Sequence, residues 1–296
     1  MSESKKPISI VVDEAADLPK EIIGKYNITV VPLNVFWPEI ENVPGDNFFQ
    51  RIRELEKRGD KSFAKTSQPA PQKFIEAFSK QLESFEKVIC LTITSKHSGT
   101  FNSACQAKRF MGEKANNIYV IDSLNGSSGL SLIALKAAAF VKKGLSIEEI
   151  LNKIQKAISE TKLYVILDSP KRLEASGRIS PTVTSWLVKM QNIGIRPIIG
   201  LKDGKISPIG IKTGAKDVPT AMFKELESKT KFLRNKGKEI DIVITHCDNL
   251  ERAEKVRDLI KSNLKNANVV FINITDNILG AVLGPDSLIL GWTPKE

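Results

Sequence analysis

Cysteine is scarce in this chain. Cys90, Cys105 and Cys247 are its only three, and their wide spacing speaks against a disulfide framework or a cysteine zinc site. They read as buried thiols. Histidine is scarcer, with His97 and His246 alone, so no spaced histidine set supports a metal. Asp13, Asp17 and Asp122 read instead as caps at strand ends, and neither metal nor cofactor is expected. Aromatic residues make up 6% of the chain and do not interleave with a compact basic run, which argues against nucleic acid. No apolar run reaches the about 18 residues of a membrane span. The start, Met1-Ser2-Glu3-Ser4-Lys5-Lys6-Pro7, lacks the apolar region of a signal peptide, so a soluble cytoplasmic protein is expected. A glycine-rich Walker motif, a kinase residue set and G-x-S-x-G are missing too, so this chain is not expected to carry out ATP chemistry itself. There is no internal repeat.

What is present suits a folded protein. The 296 residues with 41% hydrophobic content allow two domains of roughly 100 to 200 residues each. A formal charge of +10 favours anionic partners and permits transient contact with a membrane surface, although dispersed lysines read first as a solvated face.

The first half alternates apolar extended runs with helical ones. Ile8 to Val12, Val88 to Thr94 and Ile118 to Asp122 alternate with helices after Pro71, after Ser98 and from Ser127 to Lys143. This is the βαβ rhythm of a largely parallel, Rossmann-like sheet. Ligands on such sheets gather beyond the carboxyl ends of the strands, where Asp13, Thr94 to Ser98 and Asp122-Ser123 converge. Ser146-Ile147-Glu148-Glu149 is a capping box that opens an amphipathic helix to about Glu160. The second half has a strand at Leu163 to Leu167, helices near Val183 to Asn192, Pro219 to Asn235 and Glu251 to Leu264, and strands at Ile240 to Thr245 and Val269 to Ile274. Asp203-Gly204 suits a tight hairpin turn, which introduces an antiparallel element. The expected class is α/β with two domains: residues 6–160 built on the largely parallel sheet, residues 161–296 of mixed α/β type, and a ligand between them.

Candidate chemistry centres on Lys96-His97-Ser98-Gly99-Thr100-Phe101-Asn102-Ser103-Ala104. It follows a strand and opens a helix, whose free N–H groups and partial positive charge suit a carboxylate or phosphate. Ser98 beside His97 also admits a nucleophile reading, an enzyme acting on an acyl or small acidic substrate. Neighbours in sequence seldom point at each other, however, and a helix cap is the plainer alternative.

Further hydroxyl-rich turns recur in order: Thr66-Ser67-Gln68-Pro69, then Asp122-Ser123-Leu124-Asn125-Gly126. With Ile8 to Asp13, Asp17-Leu18-Pro19 and Gly177-Arg178-Ile179-Ser180, this set resembles the DegV family over nearly the whole chain. The resemblance implies a two-domain α/β carrier for one long-chain fatty acid, the lipid-binding partner of a separate fatty acid kinase catalytic subunit. That subunit forms the acyl phosphate, and the carrier has no catalytic residue. It also implies that Thr66 and Ser98 meet the carboxylate and that Arg178 serves the head group. The expected ligand-binding set is Thr66, Ser98, Gly99, Thr100, Asp122, Ser123, Arg178, Val282 and Gly284. Two stretches depart from the family's pattern. Its G-x-H-T-G-P-G reads Gly280-Ala281-Val282-Leu283-Gly284-Pro285-Asp286 here, with valine for the histidine, and its T-D-S reads Val12-Asp13-Glu14. A carrier for a different lipid is therefore the third reading.

Overall fold

The structure is a computed structural model that describes residues 6–213 and 217–295. Residues 1–5 of the leader reading and Glu296 of the second domain lie outside them. In chain order the elements begin with β1 (Lys6–Asp13), α1 (Lys20–Tyr26), β2 (Thr29–Val31), β3 (Asn34–Phe36), α2 (Pro38–Glu41), α3 (Phe48–Lys57) and β4 (Lys65–Ser67). They continue with α4 (Pro71–Ser84), β5 (Phe85–Thr92), α5 (Thr100–Phe110), β6 (Ile118–Asp122), α6 (Ser127–Lys142) and α7 (Ile147–Glu160). The second half holds β7 (Lys162–Ile166), α8 (Lys171–Ala175), α9 (Pro181–Asn192), β8 (Arg196–Lys202), β9 (Lys205–Lys212) and α10 (Val218–Asn235). It ends with β10 (Ile240–His246), α11 (Leu250–Asn263), β11 (Ala267–Ile274), α12 (Asn277–Leu283) and β12 (Leu288–Pro294).

The fold is α/β. Strands β2-β1-β5-β6 form a sheet in which every pairing is parallel. Such a sheet needs apolar side chains on both faces, because helices cover both. Ile8, Ile10 and Val12 of β1 pack with Ile89 and Leu91 under α6 and α7, while Val11, Val88 and Cys90 meet Phe74 and Phe78 of α4 and Ala104 of α5. The expected capping box opens α7, with Ser146 Oγ accepting from Glu149 N–H and Glu149 Oε2 accepting from Ser146 N–H.

The second sheet, ordered β11-β10-β12-β7-β8-β9, is mixed: β10 and β11 are parallel, and the other neighbours are antiparallel. Asp203 and Gly204 turn the β8–β9 hairpin at φ of 50° and 78°. Two successive positive φ values define the tight turn whose twist matches paired strands, and glycine adopts the second without strain. Alternation along the strands splits this sheet into two faces. Tyr164, Ile166, Ile198, Leu288 and Leu290 pack beneath α10 and α11. Leu163, Val165, Ile199 and Ile289 face the other way, toward α12 and a segment from the first half. That segment, with the antiparallel pair β3–β4 and helices α2 and α3, contributes Trp37, Phe49, Ile52 and Leu55 to the core of the second sheet. Helix α6 packs on the first sheet and on β10 and β12, so it is buried on nearly every side. Cys90 and Cys247 are buried, Cys105 is half-buried, and all three thiols are free.

Candidate functional site

A cavity of about 320 Å³ lies where the loops after β4 and β5 meet the inner face of the second sheet. Its two kinds of wall have different origins. The apolar wall comes from Leu163 and Val165 of β7, Ile199 and Leu201 of β8, Ile289 of β12 and the Val282-Leu283 turn of α12. Polar groups come from the first-half loops, with Thr66, Gln68, His97 and Ser98, and from Arg178 after α8. The volume is within the usual range of small-molecule sites, whose linings are mostly apolar with a few placed polar groups.

Arg178 is half-buried, and its Nη2 donates to Thr66 Oγ1 at 3.2 Å. Burial holds its pKa below the usual arginine value. Among the described residues no carboxylate pairs with it, so the cavity contains a desolvated cation without a counter-ion. That is an expensive arrangement unless an anion arrives. Ser98 Oγ and Thr100 Oγ1 share a hydrogen bond of 2.8 Å, and Thr100 N–H donates to Ser98 Oγ at 3.3 Å. Gly99 lies between them as the N-cap of α5 and lines the cavity.

Thr66, Ser98, Gly99, Arg178 and Val282 of the expected set therefore share one cavity, whereas Thr100, Asp122, Ser123 and Gly284 do not reach its wall. Each of the four is otherwise engaged. Thr100 is buried behind Ser98. Asp122 accepts from Ser95 N–H at 3.1 Å and Leu124 N–H at 3.0 Å, fastening the β5 loop to β6. Ser123 Oγ donates to the Asn125 carbonyl. Gly284 follows α12 and packs against Arg172, whose guanidinium pairs with Glu56 at 2.6 Å. Val282 is in a helix rather than a loop, as part of the apolar wall. Glu14 does not line the cavity; its carboxylate accepts from the N–H of Leu33, which does, at 3.0 Å.

His97 shows why Ser98 has no base. Its Nε2 accepts from Ile206 N–H at 2.8 Å, while the Ser98 hydroxyl pairs with Thr100. The lone pair that a nucleophilic serine needs is committed to the β8–β9 hairpin. Sequence reasoning placed His97 beside Ser98 but did not find its partner 109 residues away. Gln68, Thr94 and Ser127 also line the cavity, and only the turn chemistry of their segments pointed to them.

Beside the cavity a chain of buried acids joins the halves. Asp17 accepts from Ser127 Oγ at 2.5 Å and from Asp276 N–H at 2.7 Å, and Ser127 Oγ is 2.7 Å from Thr245 Oγ1. Asp276 caps α12, its Oδ1 accepting from Ile278 and Leu279 N–H, while its Oδ2 is buried with no hydrogen-bond partner among the described residues. Asp13 accepts from Ile93 and Ala15 N–H. Burial pushes Asp13 up to about 7 and Asp276 up to about 6, with Asp17 raised as well. The folded protein therefore binds protons where the unfolded chain is already ionised, so stability present below about pH 4 is lost as pH rises through the folded values. Asp276→Asn keeps the cap oxygen and removes the charge. In urea unfolding at pH 5 and pH 8 the wild type should lose on the order of 1 kcal/mol more than this variant. Equal losses would show Asp276 ionised throughout that range.

The comparisons agree with this architecture. A model described as "Uncharacterised protein, DegV family" matches residues 7–295. A DegV domain-containing protein of Clostridium acetobutylicum is 37% identical over 207 residues, covering 68% of this chain and 70% of the relative. A protein of Thermotoga maritima named as a fatty acid-binding protein is 28% identical over 301 residues, covering 96% of each chain. A solved DegV family structure from Thermus thermophilus, described by its fatty acid binding, superposes with a TM-score of 0.81 at 23% identity, over 98% of this chain and all of that one. At that identity the structure speaks for the fold. The family model spans both sheets and every cavity-lining element, and the chain belongs to the DegV family.

Proposed function

We propose that this chain binds one long-chain fatty acid between its two halves, residues 6–160 and 161–296, and presents the carboxylate to a separate kinase that forms the acyl phosphate. The observation that carries this reading is the half-buried Arg178 guanidinium, unpaired with any carboxylate among the described residues, at the wall of an apolar cavity. A carboxylate supplies its missing counter-ion, with Thr66 and Ser98 as hydroxyl donors. The tail lies against Leu163, Val165, Ile199, Val282 and Ile289. Burial at about 0.8 kcal/mol per methylene supplies on the order of 10 kcal/mol for a long chain, against about 1 kcal/mol for each hydroxyl contact. Affinity then comes from the tail and orientation from the polar cluster.

The name of the Thermotoga relative supports the fatty acid as ligand. Thr100, Asp122, Ser123 and Gly284 serve the site by holding its loops in place. A serine-dependent enzyme fits less well, because Ser98 and His97 are each bonded elsewhere. The carrier works in the cytoplasm, where a basic surface allows brief contact with anionic membrane lipids. Among the described residues no helix is long and apolar enough to cross a membrane.

Native mass spectrometry of gently purified protein tests the carrier reading. A fatty-acid adduct is expected, or a mass shift and thermal stabilisation on adding palmitate or oleate. Apo mass alone, with neither response to added fatty acid, would sink it.

A further inference from the structure

His97 has two ring nitrogens in different situations. Nε2 accepts from Ile206 N–H at 2.8 Å, so it carries a lone pair. In a neutral imidazole the proton must then be on Nδ1. The ring lines the cavity along with Arg178, Thr66 and Ser98, and among the described residues Nδ1 has no hydrogen-bond partner. Burial, with Arg178 and Lys205 nearby, holds the His97 pKa below its ordinary value, so the neutral ring is the form at neutral pH. The remaining histidine is arranged the other way round. His246 Nδ1 accepts from Asn249 N–H at 3.1 Å, which places its proton on Nε2.

The bond to Ile206 is one of two among the described residues that tie the hairpin tip to the loop after β5. Thr94 Oγ1 donates to the Gly204 carbonyl at 3.0 Å, and His97 N–H donates to the Thr94 carbonyl at 3.3 Å. Leu201 and Ile206, on either side of the turn, line the cavity. One side chain thus touches both the hairpin edge of the wall and the space beside the guanidinium.

We infer that His97 is a positioning residue for the ligand's head group: its Nδ1–H donates to the fatty-acid carboxylate while its Nε2 clasps the β8–β9 hairpin over the cavity. This rests on the carrier reading. With Val282 and Leu283 apolar on the α12 side, the neutral donor for the carboxylate comes from the β5 loop, beside the cation. Head-group contact and the hairpin clasp share one ring, because the tautomer that clasps the hairpin is the one that offers a donor to the ligand.

Two measurements test it. Imidazole nitrogen NMR on the free protein has only two histidines to separate, and His97 should appear with its proton on Nδ1 and His246 with its proton on Nε2. His97 found with its proton on Nε2 would overturn the inference. Binding is then compared for His97→Leu and His97→Gln, using palmitate and methyl palmitate. His97→Leu should weaken palmitate about tenfold and lower the acid-to-ester preference, with faster amide exchange at Ile206 in the free protein. His97→Gln, which has both a donor and an acceptor, should recover part of each. An unchanged acid-to-ester preference in His97→Leu, with wild-type protein binding palmitate normally, reduces the ring to a clasp and overturns the inference alone. Wild-type protein that binds no fatty acid removes the carrier reading, and this one with it.

Discussion

Phe49→Ala is expected to lower folding stability by about 3 to 5 kcal/mol, the ordinary cost of removing a fully buried aromatic ring. Phe49 is 2% exposed and packs edge-on against Phe48 at 6.1 Å. Its position makes the loss functional as well as structural. A β-carbon on Gly280 would stand 2.6 Å from the ring, so α12 rests on Phe49 at the one place where it has no side chain. The same helix supplies Ile278, Leu279, Val282 and Leu283 to the cavity. Removing the ring leaves that wall unsupported, and the variant should also bind fatty acid more weakly. Thermal melts with and without palmitate check both parts. A fall on the order of 10 °C is expected, partly restored by ligand. A melting temperature equal to the wild type's would mean that α12 is held by other contacts.

Arg178→Met should produce the opposite combination, lost binding without lost stability. Methionine keeps an apolar stem in the wall and removes the charge. A hydrogen-bonded ion contact to a carboxylate contributes about 2 kcal/mol, so fatty-acid affinity should fall roughly 30-fold, with little change for the neutral methyl ester. In the free protein burial works against the charged guanidinium, and its one hydrogen-bond partner among the described residues is the Thr66 hydroxyl. Its removal should therefore leave the melting temperature unchanged or raise it, as at sites where function is held against stability. Calorimetry with acid and ester, beside a melt of the free protein, separates the two effects. Undiminished acid binding would place the carboxylate elsewhere.

Most of the first half was legible because its signals are local. Apolar runs such as Ile8 to Val12 are bounded by turns, and a capping box opens α7 behind the last of them, so the parallel sheet follows from spacing alone. The second half was harder to read. Leu288-Ile289-Leu290 is a short apolar run broken by Gly291, and nothing near it shows that it pairs with both β7 and β10. Strands β3 and β4 are three residues each, and their pairing closes a loop that carries α2 and α3 to the other sheet. At the site, Thr66, Ser98 and Arg178 came from motif order. The commitment of His97 to Ile206 did not, because a hydrogen bond across 109 residues leaves no periodicity to read.

The place of β12 has a consequence for biosynthesis. It follows the other five strands of its sheet in the chain, yet it lies in the interior of the sheet between β10 and β7. Until it emerges, a growing chain has two incomplete strand sets, β10 with β11 and β7 with β8 and β9, each with an unpaired edge of the kind that recruits other chains. The first sheet needs nothing from beyond β6 to complete its ladder and can form early. The second waits for β12, and Ile289 brings the last part of the cavity's apolar wall with it. A chain that still lacks β12 is therefore the stage most exposed to misassociation, and the cavity's apolar wall is complete only once that strand has joined its two neighbours.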